Sequence, residues 1–127
     1  MRVAYVDSSV LVAITFQEER SANLEDWLNG FDRLTCSNLV EAEVKSACAR
    51  ESIELVTAFM NDIVWLFPDR PISPEIVRVL AAGYLRGADL WHVATALYFA
   101  SEPENVAFLT LDIRQRDVAE ALGFRIT

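Results

Sequence analysis

Val3-Ala4-Tyr5-Val6-Asp7-Ser8-Ser9 is a run of β-forming apolar residues that ends in an acid and two hydroxyls. Such a run reads as a buried strand carrying a carboxylate to the rim of a sheet. That rim is where open α/β sheets hold their ligands. Three later acids stand in comparable settings. Glu43 lies within Leu39-Val40-Glu41-Ala42-Glu43-Val44, Asp89 opens Asp89-Leu90-Trp91-His92-Val93-Ala94-Thr95-Ala96-Leu97, and Asp112 follows Phe108-Leu109-Thr110-Leu111. A lone charge is costly to bury beside apolar sequence. The four acids therefore pose one question: whether the fold brings them together.

Outward from that stretch, helical and extended segments alternate. Residues 2 to 6 read as a strand, and 21 to 29 as a short amphipathic helix with Leu24 and Leu28 four apart and Gly30 as its stop. Ser37 is placed to cap a helix running to about residue 50, and a second helix is expected over about 52 to 62, with Ile53, Val56, Phe59 and Met60 on one face. Val64 to Phe67 reads as a strand ended by Pro68. Ser73-Pro74-Glu75 combines a capping hydroxyl, a first-turn proline and an acid, so it starts a helix that ends near Gly83 or Gly87. Residues 88 to 100 are apolar nearly all round and predict a buried helix. Val106 to Thr110 follows as a strand, 113 to 122 as a helix closed by Gly123, and Phe124 to Ile126 as a last short strand. The alternation predicts an α/β fold with a mostly parallel sheet and helices on both faces, organised as one domain over 1–127.

Composition narrows the classes of function. Apolar residues are 53% and charged residues 24% of the 127, ordinary for a globular chain. No uncharged apolar stretch approaches the roughly 20 residues of a membrane span. The apolar N-terminus is interrupted by Asp7 and lacks a small-residue cleavage site, so a signal peptide is not expected and a cytoplasmic location is. Cys36 and Cys48 lack metal-ligand spacing and read as free buried thiols of a reducing compartment. The net charge is −8, with Lys45 the single lysine against ten arginines. This balance disfavours broad electrostatic binding of nucleic acid, which needs many cations to displace counterions, but leaves room for a local basic rim around an acidic pocket.

Each acid has a bland reading when taken singly. Glu43 shares a helix face with Leu39 and Ala47 and so points toward the core, where it could be a boundary glutamate paired with an arginine. Asp89 and Asp112 could be first-turn or capping acids, favoured by the helix dipole by roughly 0.3–1 kcal/mol. Taken together they are more informative, because the carboxyl ends of parallel strands share one edge. Two unshielded carboxylates at about 4 Å cost roughly 4 kcal/mol at an effective dielectric of about 20. A cluster of four persists only by sharing protons or holding a cation. All-oxygen donors suit Mg²⁺ or Mn²⁺, and a hard cation in an acidic pocket fits phosphodiester hydrolysis.

The ordered set Tyr5-Val6-Asp7-Ser8-Ser9, Glu43-Val44, Ala88-Asp89-Leu90-Trp91-His92-Val93-Ala94-Thr95-Ala96, Leu109-Thr110-Leu111-Asp112 and Ala121-Leu122-Gly123-Phe124 resembles a PIN domain. It resembles in particular the VapC-type toxin ribonucleases of prokaryotic type II toxin–antitoxin pairs, over essentially the whole chain. The resemblance implies a three-layer α/β/α fold with four to five strands and a Mg²⁺- or Mn²⁺-dependent endoribonuclease with Asp7, Glu43, Asp89 and Asp112 as its catalytic and metal-holding acids. It implies supporting roles for Thr110 and for Ser8 or Ser9, a cognate antitoxin as partner, and a homodimer. Where the family often has arginine after Glu43-Val44, Lys45-Ser46 stand here. Lys45, Arg86, Arg114 and Arg116 are candidate RNA contacts, and Asp117 is a spare acid that could replace Asp112 as the fourth ligand. His92, three residues after Asp89, reads as a structural, hydrogen-bonded histidine, and Trp27 and Trp65 as core or partner surface.

Two other classes remain open. A haloacid-dehalogenase-type metal-dependent phosphatase also places an aspartate after its first strand, but wants a second acid where Ser9 stands and a lysine in the C-terminal half. A receiver-type domain wants the same missing lysine. A non-catalytic PIN-like binding subunit would be expected to have lost one of the four acids, and all four are present.

Overall fold

The structure, a computed structural model, describes residues 1–54 and 60–126. Four short strands, β1 (Val3–Val6), β2 (Arg33–Ser37), β3 (Ile63–Leu66) and β4 (Val106–Leu109), form one parallel sheet in the order β3-β2-β1-β4. Among the described residues six α-helices connect and cover them: α1 (Ser8–Thr15), α2 (Ser21–Asn29), α3 (Asn38–Glu51), α4 (Ser73–Ala82), α5 (Gly87–Phe99) and α6 (Ile113–Ala121). The expected α/β class, the parallel sheet and the strand number all hold.

Alternation along the strands sorts side chains into two cores, as period-2 geometry requires. Ala4, Val6, Ala107 and Leu109 pack with the buried faces of α1, α2 and α3. Tyr5, Val106 and Phe108 pack on the other side of the sheet with α4, α5 and α6. Tyr5 and Phe108 are register partners on adjacent strands, and their rings stack at 5.2 Å with planes 10° apart. The result is three layers. Chain order runs from β1 outward through β2 to β3, then returns to place β4 on β1's free side. The reversal between β1 and β4 opens a crevice at the carboxyl ends of these two strands, and Asp7 and Thr110 both lie there.

Several local expectations change. Ser8-Ser9-Val10-Leu11-Val12-Ala13-Ile14-Thr15, rich in β-branched residues, is a helix because Asp7 caps it and both its neighbours and the sheet bury its apolar surface. Arg33–Ser37 is a strand that sequence patterning does not single out, since only its second half is buried. The expected strand at Phe124 to Ile126 reduces to one bridge, Ala107 with Arg125. Of the helix expected over 52 to 62, residues 55–59 lie outside the described residues; Ser52, with φ 53°, ends α3, and Met60–Asp62 form a 3-10 turn. Ile72, not Ser73, holds the cap position of α4, and Ser73 makes no side-chain capping bond.

Cys36 and Cys48 are free and buried, as composition implied. Among the described residues no helix is long and apolar enough to cross a membrane. Gly83 ends α4 where it meets α6: an added Cβ would stand 2.8 Å from Cγ2 of Val118, a stiff, buried side chain. Gly83→Ala is therefore expected to cost ~1–3 kcal/mol through overpacking, read as a lowered midpoint in thermal or urea unfolding.

Candidate functional site

Asp7 is almost fully buried at the end of β1. Its backbone N–H donates to the Leu109 carbonyl at 2.9 Å, which fastens it across the β1–β4 junction. As the cap of α1 its Oδ2 accepts from the Ser9 N–H at 3.1 Å. Its Oδ1 accepts from Nε2 of Gln115 at 3.3 Å, and the Thr110 hydroxyl lies 3.3 Å from Oδ2. Donors thus converge on both oxygens of a side chain that would be costly to bury without them.

Gln115 is the residue the sequence reading missed. It is fully buried on α6, with its side chain spanning Asp7, Thr110 and the Asp89 carbonyl. Its amide orientation follows from the neighbours. Oε1 sits 2.6 Å from the Thr110 hydroxyl, and Nε2 faces the Asp7 carboxylate and the Asp89 carbonyl at 3.4 Å. The reverse orientation would set three acceptors against one another. The Thr110 proton goes to Gln115, the much shorter contact, and Thr110 in turn accepts from the Asp112 N–H at 3.1 Å. A signal was available: Gln115 lies three and four residues before the buried Val118 and Ala119, so it faces the core. Gln115→Leu, similar in volume but without polar atoms, is expected to cost ~1–3 kcal/mol of stability by stripping partners from Asp7 and Thr110, measurable by denaturant unfolding.

Asp89 lies half-buried in the first turn of α5. Its carboxyl is pushed above the ordinary aspartate range, first by burial, then by the negative charges of Asp7 and Asp112, with Glu43 adding to them. The other three sequence-predicted acids therefore all act on Asp89. Asp112 is exposed and caps α6, accepting from the Gln115 N–H at 2.8 Å. Asp89 and Asp112 share a cleft of about 300 Å³ with Tyr84, Leu85, Arg86 and Arg114.

Glu43 stands half-buried on α3 and meets a histidine rather than the arginine of its bland reading. Its Oε1 lies 2.6 Å from Nε2 of His92, itself fully buried. The other ring nitrogen, Nδ1, is 2.8 Å from the Tyr5 hydroxyl and 3.2 Å from Oγ of Ser37. Ser37 occupies the cap position of α3 as expected, but its hydroxyl is turned to this histidine and makes no cap bond.

The remaining candidates divide. Ser9 is engaged: its Oγ accepts from the Leu111 N–H at 3.1 Å and lies 3.3 Å from the Thr110 hydroxyl. Ser8 is half-buried at the start of α1. Arg86 and Arg114 line the cleft with Asp89 and Asp112, whereas Asp117 lines a neighbouring one of about 700 Å³ with Tyr84, Ile113 and Arg114. Arg116 is half-buried on α6 and lines neither cleft. Lys45 is exposed and pairs with Glu41 at 3.0 Å, one helical turn away. Trp27 and Trp65 pack against the core that contains α1 to α3.

The donor set suits a hard cation: carboxylate oxygens in mutual repulsion, one of them buried and already oriented. It is not a closed cage. Among the described residues no three of His, Cys, Asp and Glu stand in ready metal-binding arrangement.

Residues 4–121 match the family model described as "PIN domain". Ribonuclease VapC35 of Mycobacterium tuberculosis, in strains CDC 1551 / Oshkosh and ATCC 25618 / H37Rv, is 33% identical to this chain over 96% of it and 93% of the relative. Among solved structures, the crystal structure of VapBC2 from Rickettsia felis bound to a DNA fragment from their promoter matches with a TM-score of 0.57. That match is 16% identical in sequence and covers 91% of this chain and 92% of that one, so it speaks for the fold. A buried aspartate at the switch point of a parallel sheet and a family match over nearly the whole length agree: the chain belongs to the PIN domain family, as one of its VapC-type members.

Proposed function

We propose that the protein is a divalent-metal-dependent endoribonuclease, the toxin of a toxin–antitoxin pair, cleaving RNA phosphodiester bonds where Asp7, Glu43, Asp89 and Asp112 converge. The observation that carries this reading is the state of Asp89, held above its ordinary pKa by burial and by the other three acids. Such repulsion is retained in a fold when a cation or a proton relieves it. The relatives named for ribonuclease activity support the choice of RNA.

Asp7, Asp89, Asp112 and Glu43 are the residues that would hold Mg²⁺ or Mn²⁺. Bound there, the cation would supply charge neutralisation at the scissile phosphate and a more acidic water. The chain's own part is positioning and proton transfer. Glu43 keeps one carboxylate oxygen on His92 and leaves Oε2 to take a proton from the attacking water. Arg86 and Arg114 at the rim hold flanking phosphates, a local basic lining in a chain of net charge −8. Ser9, Thr110 and Gln115 keep Asp7 in place.

The partners follow the same reading. A cognate antitoxin would silence the enzyme, in keeping with the VapBC assembly of the structural neighbour. A homodimer would cover Val77, Leu80, Tyr84 and Ile113, large apolar side chains left exposed on and beside α4 and α6. A second reading, a non-catalytic binding subunit, draws on the open arrangement of the acids. One experiment decides between them. The purified chain with Mg²⁺ or Mn²⁺ is expected to cut single-stranded RNA internally and to stop in excess chelator. Cleavage unaffected by the chelator would overturn the metal dependence, and no cleavage together with no calorimetric metal binding would favour the binding subunit.

A further inference from the structure

We infer that His92 is a positioning residue that fixes Glu43 through an Nε2–H donor, with its other ring nitrogen held by Tyr5 and Ser37. The inference deepens the reading of the acidic site as a metal-dependent nuclease and rests on it for its catalytic consequence, though the tautomer itself stands on geometry alone.

The Tyr5 hydroxyl accepts from the Ser37 N–H at 3.2 Å, and His92 Nδ1 lies 2.8 Å away. Burial pushes the Tyr5 phenol far above its usual range, so the oxygen carries its proton throughout the working range of pH. Two acceptors among the described residues lie near that proton, Nδ1 of His92 and the Ser37 hydroxyl, which itself lies 3.2 Å from Nδ1. If Nδ1 carried the ring's hydrogen instead, a bare Nε2 would face a carboxylate oxygen of Glu43, acceptor against acceptor with no proton between them. Nδ1 is thus the bare nitrogen and Nε2 bears the hydrogen, aimed at Oε1 of Glu43 2.6 Å away.

The consequence falls on Glu43. Its carboxylate is about one-third exposed and sits on a helix whose other side chains would not hold it. A donor rooted in a fully buried ring fixes one oxygen and, with it, the direction in which the other points. Partners that orient a metal-binding side chain are worth 10–100-fold in metal affinity or activity.

His92 is the only histidine in the chain, so one ¹⁵N-histidine-labelled, tag-free sample gives an unambiguous spectrum. In the metal-free protein, long-range ¹H–¹⁵N correlation is expected to show a protonated Nε2 and a bare Nδ1. The opposite tautomer, or two protonated nitrogens at neutral pH, would overturn the inference. Mn²⁺ titration by calorimetry and RNA cleavage kinetics give the second readout. His92→Leu is expected to weaken Mn²⁺ binding or lower kcat by roughly 10–100-fold with KM little changed, and His92→Gln, which returns an N–H near the Nε2 position, to recover most of the loss. Equal affinity and kcat in wild type and His92→Leu would also overturn it. Should His92→Leu fail to fold, Tyr5→Phe serves: it removes only the hydroxyl, and the Nδ1 resonance must move. A wild-type chain that shows the Nε2–H tautomer and the Mn²⁺ effect yet cuts no RNA would sink the nuclease reading and leave the positioning of Glu43 in place.

Discussion

Asp7→Asn is expected to leave a folded protein whose RNA cleavage has fallen roughly 10³-fold or more, equivalent to losing about 4 kcal/mol of transition-state stabilisation. Asparagine keeps the size and shape of the side chain and a carbonyl oxygen that can still cap α1 from the Ser9 N–H. It loses the negative charge and turns an N–H₂ toward one of the donors that Asp7 now satisfies, among them Nε2 of Gln115. That mismatch is worth ~1–3 kcal/mol of stability, too little to unfold a typical domain. Circular dichroism melts and initial cleavage rates on the same preparation separate the two effects. Wild-type rates in a folded Asp7→Asn protein would remove Asp7 from the site.

Asp89→Asn is expected to do two opposite things. Cleavage should fall by a similar factor, because a donor to the cation is lost. The metal-free fold should become more stable by a few degrees in thermal midpoint, because a carboxylate raised by burial and by its acidic neighbours is a source of repulsion. The pH dependence carries the sign. With a folded-state pKa above the ordinary one, Asp89 is protonated more readily in the folded chain than in the unfolded. Its contribution to stability is fully present below the ordinary aspartate pKa and is lost as pH rises through the raised value. Asp89→Asn should therefore gain most over wild type at neutral pH and least in acid. A lower midpoint at pH 7 without metal would contradict the convergence of the four acids.

The acids themselves were legible because burial is expensive for them. Asp7 after an apolar strand, Asp89 at the head of an apolar helix and Asp112 after a second buried strand each break a pattern, and a broken pattern is visible in one dimension. The helix at Ser8–Thr15 was not visible. Its β-branched composition favours extended chain, and the cap on Asp7 together with burial on the sheet outweighs that preference. Arg33–Ser37 hid for the complementary reason: at five residues, of which only the last three are buried, it has too little pattern to announce a strand. Its pairing to β1 and β3 supplies what its composition lacks.

Ser37 and His92 mark a different limit. A serine before a helix has a standard local use, and sequence assigns it that use. Here a buried ring 55 positions away takes the hydroxyl. Sequence marks His92 as structural, which describes its burial but not its direction: one nitrogen to Tyr5 and Ser37, the other to Glu43. Asp112 and Asp117 likewise could not be ranked by spacing. Only the turn of α6 puts Asp112 in the cleft with Asp89 and sends Asp117 to its neighbour.

By itself, then, the chain determined the alternation of strands and helices and the layered α/β class, and it singled out four of nineteen acids as candidates, because hydrophobic periodicity and the cost of burying charge are local and additive. Tertiary structure alone decided which polar partners those acids meet. Gln115 on Asp7, His92 on Glu43 and the shared field on Asp89 join residues up to 108 positions apart. Hydrogen bonds and charges act over a few ångströms in space, and sequence spacing does not encode which distant groups the crevice between β1 and β4 will bring within that range.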